Sequence, residues 1–181
     1  INRYEMKKRH DVLIEALAAM QPELRARSRV IVAGGYDTRV TENDTVYRFL
    51  ERRAKELGVE GQVDLVRNFT DEQREWLFTH ATALVYTPMY EHFGIVPLEA
   101  MARGVPVVAC NNGGPTETDA DGETGILCDG TADGFARALE RLASDPSLRA
   151  AMAARAPEHV REQFGFDVFT KRVAAVVESL L

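Results

Sequence analysis

At 181 residues, 45% of them hydrophobic and 28% charged, the chain has room for one domain with a sizeable core and little room for two. Its 22 basic and 28 acidic residues leave a net charge of −6, which argues against a general nucleic-acid binder, since such a protein carries a basic excess or stripe. The two cysteines, Cys110 and Cys128, are not in a Cys-x-x-Cys pair, which speaks against a disulfide framework or a zinc site. Both end apolar runs and are expected as buried structural thiols of a protein in a reducing compartment. No apolar run reaches the length of a membrane span and no signal-peptide pattern occurs, so membrane attachment is expected only through parts outside this chain.

The predicted elements alternate helix and strand. An apolar period of Val12, Leu13, Ala16, Leu17 and Met20 predicts a helix over 10–20. Residues 29–33 form a β-branched run stopped by Gly34-Gly35, hence a buried strand. A helix over 43–57 closes at Gly58, a strand follows over 62–66, and Asp71 opens a helix to His80. Two more strands, 83–86 and 105–109, flank a helix over 96–103 that Gly104 ends with a left-handed cap. A fifth strand is expected at 125–128, then helices over 131–143, 146–154 and 166–181. Those last helices outnumber the strands left to pair with them, so they either pack on the sheet or reach across to another domain.

Continuous apolar strands alternating with amphipathic helices predict an α/β fold with a doubly wound parallel sheet. An α/β unit normally opens on a complete strand. Here Ile1-Asn2 runs almost at once into a charged segment and a helix, so the chain is expected to continue upstream, with Ile1 inside a strand.

In open α/β sheets ligands sit beyond the carboxyl ends of the strands. Four segments would converge there: 3–8, Gly34-Gly35, 87–99 and 111–117. The richest contains Glu91, His92, Phe93, Gly94, Ile95 and Glu99. Gly94 permits close backbone approach, and Pro97 suits a first helical turn. Free N–H groups of that turn favour an anion such as a pyrophosphate. Glu91 and Glu99 are either caps or acceptors for the neutral hydroxyls of a sugar. Asp119-Ala120-Asp121, followed by Gly122, reads as turn chemistry rather than a metal site. His10, His80 and His159 read as surface or helix-face residues.

Glu91-x7-Glu99 within EHFGIVPLEA resembles the signature of glycosyltransferase family 4, retaining enzymes of the GT-B fold. INRYEMKK, VIVAGGYD, Asn112-Gly113-Gly114-Pro115 with Glu117, and the segment 121–125 resemble its other motifs, in the same order over nearly the whole chain. The resemblance implies that residues 1–181 are the C-terminal, nucleotide-sugar-binding half of such an enzyme, the N-terminal acceptor domain being absent. It implies that Arg3 and Lys8 hold the donor diphosphate and Glu91 the donor sugar. Phe93, Gly94 and Ile95 would contact sugar and phosphate through their backbone, and His92 belongs to the same loop. Glu99 would take the ribose hydroxyls, Arg67 to Phe69 the base, and Gly34 and Gly35 would line the phosphate side.

His92 points to a mannosyltransferase subgroup, whereas Arg9 stands where the family often has Gly or Asn. The implied reaction is metal-independent transfer of a hexose, mannose from GDP-mannose, to a lipid-linked saccharide. No cofactor beyond the nucleotide-sugar is implied. The implied location is the cytoplasm, or in a eukaryote the cytosolic face of the endoplasmic reticulum membrane. The isolated piece is expected to bind donor weakly and transfer nothing. A sugar-nucleotide epimerase or hydrolase of the same fold, and a non-catalytic binding subunit, remain open as alternatives.

Overall fold

The computed structural model describes residues 1–180; Leu181, the last residue of the expected C-terminal helix, lies outside them. Five strands fall on the five apolar runs: β1 (Val30–Gly34), β2 (Val63–Arg67), β3 (Leu84–Tyr86), β4 (Val107–Cys110) and β5 (Gly125–Cys128). Between and after them lie α1 (His10–Ala19), α2 (Pro22–Ala26), α3 (Thr41–Glu56), α4 (Asp71–His80), α5 (Ile95–Met101), α6 (Pro115–Thr118), α7 (Ala132–Ser144), α8 (Pro146–Phe164) and α9 (Phe166–Glu178). The short helices α2 and α6 were not predicted from the sequence. Each opens on a proline, whose missing N–H is no loss at a first helical position.

All strand pairing is parallel, as the α/β reading expects, and it forms two ladders. β1 pairs with β2 from Val30 opposite Val63 to Gly34 opposite Arg67, while β4 lies between β3 and β5. The residues of β4 show why continuous apolar runs mark a sheet covered on both faces. Val108 and Cys110 face a core built from α1, α3 and α7, and Val107 and Ala109 face a second core with Leu98, Met101 and Ala156 of α5 and α8. All four are fully buried, each valine contributing roughly 1.5–3 kcal/mol. Cys110 is buried and Cys128 half-buried, with desolvation lifting the thiols to about 11 and about 12.

Local chemistry fixes several ends. Thr70 and Gln73 form a reciprocal capping box at the start of α4, and Thr131 and Asp145 cap α7 and α8 through the N–H groups of Gly134 and Leu148. The helix expected over 146–154 instead continues through Pro157 to Phe164. Pro157 has no N–H for the carbonyl of Ala153, and that carbonyl packs against Gly104, where a side chain would come within 3.1 Å of it. Burial of Ala156 in the second core, with Val160 and Phe164 against it, holds the helix together past the proline.

Two further expectations need correction. His10 is buried rather than on the surface, its Nε2 lying 3.0 Å from the carbonyl oxygen of Arg3, and desolvation pushes its pKa down to about 4. Ile1-Asn2 is not a strand. The Asn2 N–H nevertheless donates to the carbonyl of Ala33 at 2.9 Å and that of Tyr4 to Gly35 at 3.4 Å, the two-residue spacing of a parallel ladder.

Candidate functional site

The carboxyl ends of the strands carry the predicted segments, and the backbone there is held out of its easy conformations. Among the described residues, Arg9, Asn68 and Tyr90 are the non-glycine residues with positive φ, at 50°, 55° and 58°. Each such residue costs about 1–2 kcal/mol. They sit immediately after Lys8, inside the 67–69 segment and immediately before Glu91, so the strain is confined to the candidate site. Arg9 also explains its own oddity: the position demands a left-handed residue, which Gly or Asn supplies more cheaply, and an ion pair to Asp11 at 3.2 Å holds the arginine there.

Lys8 and Glu91, distant in sequence, form the centre. Lys8 is buried at 8% exposure, and its Nζ lies 2.5 Å from Glu91 Oε2. Tyr86 donates its hydroxyl to the same oxygen at 3.3 Å. The hydrogen bond from Lys8 is the main reason the Glu91 carboxyl lies below its ordinary range. Thr87 fixes the lysine from behind by donating to its carbonyl at 2.7 Å. A buried cation and a half-buried carboxylate that bond each other leave the remaining carboxylate oxygen and ammonium protons for a ligand with both anionic and hydroxyl groups.

The 87–94 loop is backed by the second glycine segment. The Gly114 N–H donates to the carbonyl of Glu91 at 2.6 Å, and Asn112 Oδ1 accepts the N–H of Tyr90 at 2.9 Å. A Cβ on Gly113 would come within 2.6 Å of the Glu91 carbonyl oxygen, and one on Gly114 within 2.3 Å of that of Phe93. The glycines are therefore needed for close backbone approach. Gly94, at φ 81°, starts α5, with His92, Phe93 and Ile95 exposed beside it. The Phe93 ring meets Phe164 edge-on, with 5.9 Å between centroids.

A second group gathers around the ends of β1 and β2. Asn68 Oδ1 accepts the Tyr36 N–H at 2.8 Å and its Nδ2 donates to the Tyr36 carbonyl at 2.7 Å, tying the 67–69 segment to the Gly34-Gly35 loop. Arg67 is exposed, with its guanidinium 4.9 Å from the ring centroid of Tyr36 and 4.6 Å from that of Tyr47. Phe69 is half-buried next to it. Gly34 has to be glycine, because a Cβ would fall 1.8 Å from the Asn2 carbonyl oxygen, and Gly35 lies against the Arg3 stem.

Not every predicted residue joins the centre. Arg3 is well exposed and pairs with Glu5 at 2.9 Å. Glu99, on α5, is paired with Arg74 of α4, and its Oε2 is buried without a partner. Asp121 accepts the Leu127 N–H at 2.8 Å, in keeping with a turn role. Sequence reasoning had Thr87, Asn68 and Asn112 only as members of its candidate segments, gave Tyr86 no role of its own, and missed Arg74. For Tyr86 a signal existed, since a tyrosine ending an apolar strand brings a polar tip to the sheet's ligand end. The others act through bonds across loops that no spacing reveals.

Parallel strands carry a cation–carboxylate pair and glycine-backed loops at their carboxyl ends, the ligand end of an open α/β sheet, and the comparisons give the family. A family model described as "Glycosyl transferases group 1" matches residues 1–159, and the chain belongs to that family. The alpha-1,3/1,6-mannosyltransferase ALG2 of Homo sapiens is 40% identical over 185 residues, covering 100% of this chain and 44% of its own length. Among solved structures, the sucrose-phosphate synthase of Thermosynechococcus elongatus superposes with a TM-score of 0.85 at 26% identity, covering 98% of this chain and 43% of that one. HepE of Anabaena, in complex with UDP-glucose, gives 0.81 at 27% identity, covering 98% and 47%. The fold is that of the GT-B glycosyltransferases. The chain spans less than half the length of the curated relatives it matches.

Proposed function

We propose that this chain is the C-terminal, donor-binding domain of a retaining mannosyltransferase, which in its whole form takes mannose from GDP-mannose to a lipid-linked saccharide. The observation that carries the reading is the Lys8–Glu91 contact, which puts a diphosphate-seeking cation and a hydroxyl-seeking carboxylate within one bond of each other. The junction between sugar and diphosphate is the bond that breaks in such a transfer. The anomeric carbon leaves the diphosphate oxygen and joins an acceptor hydroxyl oxygen, the hydroxyl proton being released. Charge grows on the diphosphate as it departs, and Lys8 with Arg3 neutralises it; donors aimed at developing charge are worth roughly 3 kcal/mol each. Glu91 orients the sugar hydroxyls, Glu99 the ribose, and Arg67 to Phe69 the base. The relatives' printed activity and the UDP-glucose held by HepE support this choice of substrate class. The acceptor and any membrane contact, at the cytosolic face of the endoplasmic reticulum in a eukaryote, belong to the rest of the enzyme.

Isothermal titration of the full-length protein with GDP-mannose, GDP, UDP and ADP tests this. GDP-mannose is expected to bind most tightly. Lys8→Met should weaken every diphosphate by about 10- to 100-fold, as losing a hydrogen bond to a charged group does. Glu91→Gln should erase the advantage of GDP-mannose over GDP while leaving GDP itself little changed. Binding that ignores both substitutions would sink the donor-site reading, and a preference for UDP would discard mannose from GDP-mannose.

A further inference from the structure

α4 starts directly after the segment proposed to seat the base, since Thr70, the residue following Phe69, caps it together with Gln73. The Arg74 N–H donates to the Thr70 carbonyl at 2.9 Å, which fixes the arginine in the first turn. One turn on, on the same face, stands Phe78, fully buried in the second core, with the Arg74 guanidinium 5.6 Å from its ring centroid. Arg103, just beyond α5, lies 5.0 Å from the same centroid and donates to the backbone carbonyl of Glu99 and to Glu75 of α4, both at 2.8 Å. One ring and two guanidinium groups therefore stitch α4 to α5 beside Glu99. The half-buried Glu99 carboxylate meets Arg74 through Oε1, while Oε2 is buried and has no donor. Buried polar atoms are nearly always hydrogen-bonded and costly to leave unpaired, so an orphan on a site carboxylate calls for a ligand's hydroxyl. Glu91 follows the same plan, with Lys8 on one oxygen, so each site carboxylate has its own cation and repels a diphosphate less.

We propose that Arg74 is a positioning residue for the donor ribose: it grips one oxygen of Glu99 and presents the other to the ribose hydroxyls, at a fixed place relative to the base seat from which α4 starts. This rests on the donor-site reading above, which gives Glu99 the ribose. The last torsion of a glutamate is soft, so Oε2 turns towards a ribose hydroxyl while Oε1 stays on the arginine. An untethered carboxylate would have to be ordered at the moment of binding, and a gripped one is ordered beforehand. Because only one oxygen is gripped, the position requires a cation with reach rather than the bidentate fork of an arginine.

The test is titration calorimetry of the full-length protein with GDP and with dideoxy-GDP, which lacks both ribose hydroxyls and keeps base and diphosphate. The parent should bind GDP at least about tenfold more tightly, as hydrogen bonds to a charged group allow. Arg74→Met should lower that ratio at least about fivefold, and Arg74→Lys should restore most of it. The ratio is taken within each variant, so a partial loss of stability cancels. Glu75→Gln controls for packing: it weakens the tie between α4 and α5 through Arg103 and leaves Glu99 paired, so its ratio should stay within about twofold of the parent's. A ratio that Arg74→Met leaves untouched overturns the proposal. A ratio that rises also overturns it, since the pair would then be a latch that the ribose has to open. An equal fall in Glu75→Gln overturns it as well, because helix packing rather than the grip on Glu99 would set the ratio. All three outcomes leave the donor site standing, whereas a parent that binds no GDP removes the donor-site reading and the proposal together.

Discussion

α7 and α9 are both 13-residue helices with an apolar stripe, yet they have opposite surroundings. α7 lays Phe135, Ala138 and Leu142 against α1, β4 and β5, and Phe135 is fully buried. α9 buries none of its residues. Phe166, Phe169, Val173, Val176 and Val177 remain open along it, with Phe166 79% exposed, and the helix leans on α8 through Arg172, which donates to the Gln163 carbonyl at 3.2 Å. The difference teaches that helical periodicity establishes an apolar face without establishing what covers it. Among the described residues nothing covers the face of α9, although a contiguous exposed apolar patch ordinarily marks an interaction surface.

The sharpest way to break this comparison is to truncate one phenylalanine from each helix. Phe135→Ala should destabilise the protein by about 3–5 kcal/mol in a urea titration, because it leaves a cavity in the main core. Equal losses at Phe135 and Phe166 would mean that α9 is covered after all.

A smaller effect is expected where α8 meets the core. Asp119 is buried beside Thr118, whose carbonyl oxygen lies 2.9 Å from His159 Nε2 on α8, and one Asp119 oxygen has no partner. Burial lifts its carboxyl to about 7, opposed by a hydrogen bond from the Thr118 hydroxyl. Between the ordinary carboxylate range and pH 7 the folded state then binds more protons than the unfolded one, so this group's contribution to stability falls as pH rises through that window. Asp119→Asn escapes the loss and should be more stable than the parent by about 2–4 kcal/mol at pH 8, with the advantage fading towards pH 4. His10 acts with the opposite sign. Its lowered pKa of about 4 means stability is lost as pH falls from about 6.5 towards 4. The Asn variant should therefore show the acid-side decline more steeply than the parent, and urea midpoints across pH 4–8 measure both slopes. Parallel profiles for the two proteins would show that Asp119 is not buried as described.

The smallest effect belongs to α9. Phe166→Ala should change stability by no more than about 0.5 kcal/mol, the usual range for an exposed site. In the full-length enzyme a larger loss at this position would identify α9 as buried there, which sharpens the contrast with α7.

The sequence by itself determined the five strands, most of the longer helices and their class. The apolar runs became β1 to β5, the first of them ending in glycine, Thr70 with Gln73 opened α4, and Gly94 and Gly104 bounded α5 where left-handed residues were needed. These are properties of short stretches, legible because backbone preference and side-chain period act over a few residues. Lys8, Glu91 and the glycine-rich loops were legible too, through their motifs. The pairing of Lys8 with Glu91, the bonds of Tyr86, Thr87, Asn68 and Asn112, and the tie of Glu99 to Arg74 were decided only by the tertiary structure. So were the burial of His10, the helix that runs on past Pro157, and the open edges of β1 and β3. Each depends on which segments meet across tens of residues. Packing there overrides local preference, because burying apolar area and satisfying backbone groups are worth more than the propensity of any single residue.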